Sequence, residues 1–147
     1  MPAFSKKYSA TVLIHASPGE VWEALTDLDK YGSWNPFTIR VETDWQIGRR
    51  VILTVQMRAN RKPIRQIERL SRFVPGHEIV WGMDWGIWLQ AERIQRITKT
   101  SPGLVRYETE DRIHGLLSPL VHFLYGRYIQ GGFEAMAYSL KKYIEET

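Results

Sequence analysis

The densest group of side chains able to move protons is the acidic run Glu108, Glu110 and Asp111. It falls in Leu104 to His114, which reads as a β-strand, and a strand sends Glu108 and Glu110 to the face opposite Asp111. Paired-carboxylate chemistry within that run is therefore not expected. The four histidines, His15, His77, His114 and His122, show no metal-ligand spacing, so no metal is expected. Cysteine is absent, which excludes thiolate nucleophiles, disulfides and cysteine-based metal sites. Neither a Gly-x-Ser-x-Gly elbow nor a phosphate-binding glycine loop occurs, and nothing points to a cofactor. Binding chemistry is what remains. Six Trp and seven Tyr combine apolar area with a polar handle, which suits a ligand cavity as well as a core.

The chain has 147 residues, a length that fits one domain with a sizeable core. An apolar fraction of 44% and a charged fraction of 24% are those of a globular protein. The net charge of +4 is a mild excess and gives little reason to expect a nucleic-acid partner. The densest basic stretch holds Arg58, Arg61, Lys62, Arg65, Arg69 and Arg72. It reads as the solvated outer face of a hairpin, with contact to an anionic membrane surface as the alternative. The first fifteen residues lack a signal-peptide pattern. The longest apolar stretch, Leu116 to Tyr125, is broken by Ser118, Pro119 and His122 and is too short to span a bilayer. A soluble, cytoplasmic protein without integral membrane association is the expectation.

These residues need a scaffold, and the scaffold has clear signals. Tyr8 to His15 alternates with period two and predicts a strand. Ser17, Pro18 and Glu20 make a capping box with proline at the first helical position, which starts a helix over Pro18 to Thr26. A second short helix is expected at Leu28 to Ser33, with Asp27 available as its cap, ending before Asn35-Pro36. Strands are expected at Arg50 to Met57, Glu78 to Trp85 and Leu104 to His114, separated by Gly and Pro turn signals. In Pro63 to Val74 the residues Ile64, Ile67, Leu70 and Phe73 recur every three positions, a helical spacing, and Leu89 to Thr98 shares the ambiguity. Flanking hairpin turns favour strands for both. From Ser118 to Glu145 the apolar residues follow helical spacing. Gly131-Gly132 within it marks either a close approach or a kink.

The run Ile14 to Phe37, with its apolar-x-Ala-x-Pro step, Val21-Trp22, Asp27 to Tyr31 and Trp34-Asn35-Pro36, resembles the N-terminal signature of the START-like (SRPBCC) superfamily. In particular it is similar to the polyketide cyclase/dehydrase family. Pro75-Gly76 followed by Ile79-Val80-Trp81, and Gly115 to Pro119 before a terminal helix with Gly132-Phe133, extend the resemblance over nearly the whole chain. It implies an α+β helix-grip fold: a curved seven-stranded antiparallel sheet, two short helices, and a long C-terminal helix in its concavity. It also implies that both ambiguous segments are strands, and that an apolar cavity opens between helix and sheet.

On that fold, the ligand-facing candidates from the terminal helix are Phe123, Tyr128 and Phe133, with Tyr125 and Ile129 beside them. From the sheet they are Trp81, Met83, Tyr107 and Asp111. Alignment to the family turns Arg93 and Gln95 inward, and places Trp34, Trp85 and Trp88 near the mouth. Arg93 and Asp111 on neighbouring strands would tend to pair, or would orient a carboxylate, carbonyl or phenol of a bound molecule. Three functions follow as alternatives. One is binding of an apolar, lipid- or polyketide-like small molecule as partner. The second is a cyclase or dehydratase using Arg93, Asp111 and Tyr107. The third is a cochaperone-like interaction domain, which would show an exposed apolar patch and a small or filled cavity.

Overall fold

The computed structural model describes residues 4–147. Strand β1 (Ser5–Ile14) is followed by helix α1 (Pro18–Thr26). The capping box forms as the sequence predicts. Glu20 N–H donates to Ser17 Oγ at 3.2 Å, and the Glu20 carboxylate accepts from Ser17 N–H at 3.1 Å. The predicted second helix divides into a 3₁₀ turn (Leu28–Lys30) and a single turn, α2 (Tyr31–Trp34). Asp27 makes no side-chain cap there. Instead Asn35 Oδ1 accepts from Phe37 and Thr38 N–H, holding the turn that carries the chain through Pro36 into the next strand.

Six further strands follow: β2 (Thr38–Glu42), β3 (Arg50–Val55), β4 (Ile64–Val74), β5 (Glu78–Asp84), β6 (Gln90–Ser101) and β7 (Leu104–His114). The sheet is antiparallel throughout, in the order β1-β7-β6-β5-β4-β3-β2. Both ambiguous segments are strands. In β4 the three-residue spacing has a local cause. A register shift between Leu70 and Arg72 inserts one residue, so Leu70 and Phe73 turn to the same side although they are three apart. Ile67 meanwhile faces outward and is exposed.

Helix α3 (Ser118–Glu145) runs unbroken and buries Ile129, Phe133, Met136, Ala137, Leu140 and Ile144 against the concave face. Gly132 is a close-approach position: a Cβ there would overlap the Phe37 ring. Phe37 uses the gap to meet Phe133 edge-on, with centroids 5.7 Å apart. Gly131 faces open space. At the same end, Trp34 packs between Tyr31 and Tyr143 and closes the sheet's concavity. No helix is long and apolar enough to cross a membrane among the described residues.

Candidate functional site

The inner sheet face carries one continuous cross-strand row. Leu70 on β4 pairs with Trp81 on β5, Trp81 with Arg93 on β6, Arg93 with Asp111 on β7, and Asp111 with Tyr8 on β1. Period-two alternation turns all five to the helix side. Above this row lies a cavity of about 600 Å³, bounded by the sheet and by α3. That volume suits a drug-sized organic molecule. Its walls are mainly apolar, from Phe37, Leu53, Val55, Met57, Ile113 and Phe133 among others.

Arg93 is 6% exposed, and its position is set by neighbours other than Asp111. Its Nε donates to Thr109 Oγ1 at 2.8 Å, and Nη2 reaches Met136 Sδ at 3.0 Å. The guanidinium lies 4.3 Å from the Phe133 ring centroid, a cation–π contact inside the protein. The expected Arg93–Asp111 ion pair is absent from the ion pairs among the described residues. The reason is geometric: the side chain turns toward Thr109 and α3, one pair further along the strands. Among the described residues Asp111 thus has no hydrogen-bond partner, although it borders the cavity.

A second carboxyl group enters from β4. Glu68 lines the cavity, is 8% exposed, and also makes no hydrogen bond within the described chain. Burial raises its pKa to about 8, reinforced by the negative field of Asp111 and opposed by Arg93. Burial likewise raises Asp111 to about 6, opposed by Arg93. At neutral pH Glu68 is mostly protonated and Asp111 mostly ionised, so the polar patch beside the Arg93 cation is close to neutral. Trp81 adds a buried indole N–H with no partner. Three residues that line the cavity therefore carry a polar group with no hydrogen-bond partner among the described residues.

Trp81, Met83, Trp85, Arg93, Asp111 and Phe133 border the cavity, as do Tyr125 and Ile129. The other sequence candidates lie elsewhere. Gln95 and Tyr107 share the inner face with Arg93 but are buried further along it against Met136 of α3, where the Tyr107 hydroxyl donates to Gln95 Oε1 at 2.6 Å. Neither is among the residues that line the cavity. Trp34 belongs to the closed end, and Trp88 projects outward from the β5–β6 loop. On α3 the cavity face is Val121, Tyr125, Ile129 and Phe133, spaced by four. Phe123 lies on another face and is 84% exposed, while Tyr128 stacks under Arg58.

Glu68 was invisible in the basic run around it. Strand parity was the available signal, since Gln66, Glu68 and Leu70 share one face and Leu70 is core. Glu108 and Glu110 do face outward, onto Arg106 and onto Lys7 and Arg112. No cluster of potential metal ligands occurs among the described residues.

The family model described as polyketide cyclase / dehydrase and lipid transport matches residues 5–145. Similar solved structures include the Zhui aromatase/cyclase from Streptomyces sp. R1128, with a TM-score of 0.76 and 16% identity over 97% of this chain and 94% of that one. A norcoclaurine synthase point mutant from Thalictrum flavum has a TM-score of 0.71 and 15% identity, over 99% and 98% of the two chains. A START superfamily protein from Mycobacterium smegmatis has a TM-score of 0.70 and 18% identity, over 95% and 97%. At these identities the likeness is one of fold. No curated protein matches the sequence.

Proposed function

The chain belongs to the polyketide cyclase / dehydrase and lipid transport family, and on that premise we propose that it binds an apolar small molecule carrying an uncharged polar end. The observation that carries this reading is the cavity of about 600 Å³ lined by Glu68 and Asp111, neither hydrogen-bonded among the described residues, and by Trp81, whose buried indole N–H has no partner there. Unsatisfied buried polar groups are costly, and a ligand that completes their hydrogen bonds recovers that cost. A carbonyl accepts from protonated Glu68 or from Trp81, and a hydroxyl donates to Asp111. A carboxylate ligand would add a charge to a floor that already balances Arg93 with Asp111, and would be disfavoured. Lipid- or polyketide-like compounds with keto, phenol or alcohol groups are the class that fits.

The test is a fluorescence titration with three ligands on one skeleton: 2-naphthol, 2-acetylnaphthalene and 2-naphthoate. The neutral pair should bind about tenfold tighter than the carboxylate at neutral pH, the scale of one charge-assisted contact. Preference for naphthoate, or no binding by any of the three, contradicts the reading.

A second reading, a cyclase or dehydratase, is favoured by one feature. Glu68 and Asp111 titrate on either side of neutrality, at about 8 and about 6, so one cavity holds a proton donor and a proton acceptor. Asp111 would take a proton from carbon while Glu68 gives one to the departing or enolising oxygen. Such an enzyme would show a bell-shaped pH–rate profile with apparent limits near those two values. The cochaperone-like alternative expected an exposed apolar patch together with a small or filled cavity; exposed apolar residues are present around Trp88 and Phe123, but a cavity of about 600 Å³ does not fit the second expectation.

A further inference from the structure

The rim of the cavity carries an exposed apolar surface of which only Trp85 also borders the cavity. Trp85, Ile87 and Trp88 in the β5–β6 loop are 63%, 70% and 55% exposed. Beside them Leu116, Leu120, Phe123 and Leu124 are exposed at the start of α3. The two segments are one surface. Leu116 N–H donates to Ile87 C=O, and Leu117 N–H to Trp88 C=O, both at 2.9 Å. Leu120, Phe123, Leu124 and Arg127 fall on one helical face by their spacing. Exposed apolar side chains grouped on one surface, two indoles among them, mark an interaction site.

Charge identifies the partner. The three segments around the mouth, residues 56–67, 85–91 and 115–130, contain Arg58, Arg61, Lys62, Arg65 and Arg127 and no Asp or Glu. Three carboxylates border these segments in sequence, Glu68, Asp84 and Glu92; Glu68 is buried at the cavity, and Asp84 accepts from Gly86 N–H. None of the five mouth cations is ion-paired among the described residues. In contrast Arg40, Arg49, Arg72, Arg96, Arg106 and Arg112 all pair with carboxylates. Arg58 and Arg127 flank the Tyr128 ring, each 4.8 Å from its centroid, which ties the β3–β4 loop to α3. Indoles and aliphatic side chains ringed by unpaired cations match a bilayer interface with anionic headgroups. We propose that the cavity mouth docks on an anionic membrane surface, with Trp85, Ile87, Trp88 and Phe123 entering the interface and Arg58, Arg61, Lys62 and Arg127 meeting headgroup phosphates.

The full chain, without added ligand, is sedimented with vesicles of phosphatidylcholine alone or mixed with phosphatidylglycerol, at low and high salt. Binding should need phosphatidylglycerol and weaken with salt. Each basic residue near such a surface contributes about fivefold, so Arg58→Glu with Arg61→Glu should weaken binding more than tenfold. Trp88→Ser with Phe123→Ser should weaken it comparably, and neither residue lies on the cavity wall. Absent vesicle binding, or binding indifferent to both double substitutions, overturns the proposal. So does lipid-free self-association that the apolar double substitution abolishes, which would assign the face to a second copy. Vesicle binding is read without ligand, so it stands or falls apart from the cavity's occupant.

Discussion

Trp34 and Trp88 show how differently the two ends of this molecule use the same side chain. At the closed end Trp34 stacks with Tyr143 and Tyr31, and Phe37 fills the space that Gly132 leaves. At the mouth Trp85 and Trp88 stand in solvent beside Phe123. Apolar area at the closed end is spent on packing, whereas at the mouth it is left open to whatever approaches. The difference teaches that stability and recognition are separated along the length of α3, and substitutions can test that separation.

The largest contrast should be between two tryptophans. Trp34→Ala is expected to cost about 4 kcal/mol of unfolding free energy, and Trp88→Ala less than about 0.5 kcal/mol, read by denaturant titration. Equal costs would break the comparison. Next comes the cavity floor. The folded-state pKa of Glu68 is raised above its ordinary value, so the folded protein holds a proton that the unfolded chain releases. Stability should therefore fall as pH rises from about 4.5 to about 8 and level off above that window. Asp111 adds to the fall up to about 6. Glu68→Gln should flatten the slope and stabilise the protein by on the order of 2 kcal/mol above pH 8.

The paired glycines provide a finer test. Gly132→Ala drives a methyl group into the Phe37 ring and should destabilise by about 1–2 kcal/mol. Gly131→Ala meets open space in a helix and should stabilise by about 0.5–1 kcal/mol, with thermal melts separating the two signs. The smallest effect belongs to the scaffold: Ser17→Ala removes the α1 capping box and should cost about 1 kcal/mol.

Local signals carried most of the fold. The capping box at Ser17, the alternation of β1 and the apolar stripe of α3 were legible because each is written in neighbouring residues. The nature of β4 was not, because its bulge places Leu70 and Phe73 on one face and imitates a helical spacing. Family resemblance resolved that segment where periodicity did not. At the site, Arg93 and Asp111 could be placed on the inner face, but their failure to pair depends on Thr109, Phe133 and Met136 drawing the guanidinium away. No spacing in the sequence encodes that competition. Phe123 and Tyr128 show the same limit. Their aromatic character is plain, yet which face of α3 meets the sheet is decided by tertiary packing around Gly132.

The central claim is that the cavity holds a ligand, and native mass spectrometry of gently purified protein tests it most directly. The account predicts a one-to-one apolar adduct that is diminished when Ala91→Phe narrows the cavity and is kept in Trp88→Ser. A wild-type protein with no adduct that also fails to take up 2-naphthol, or an adduct undiminished by Ala91→Phe, would contradict it.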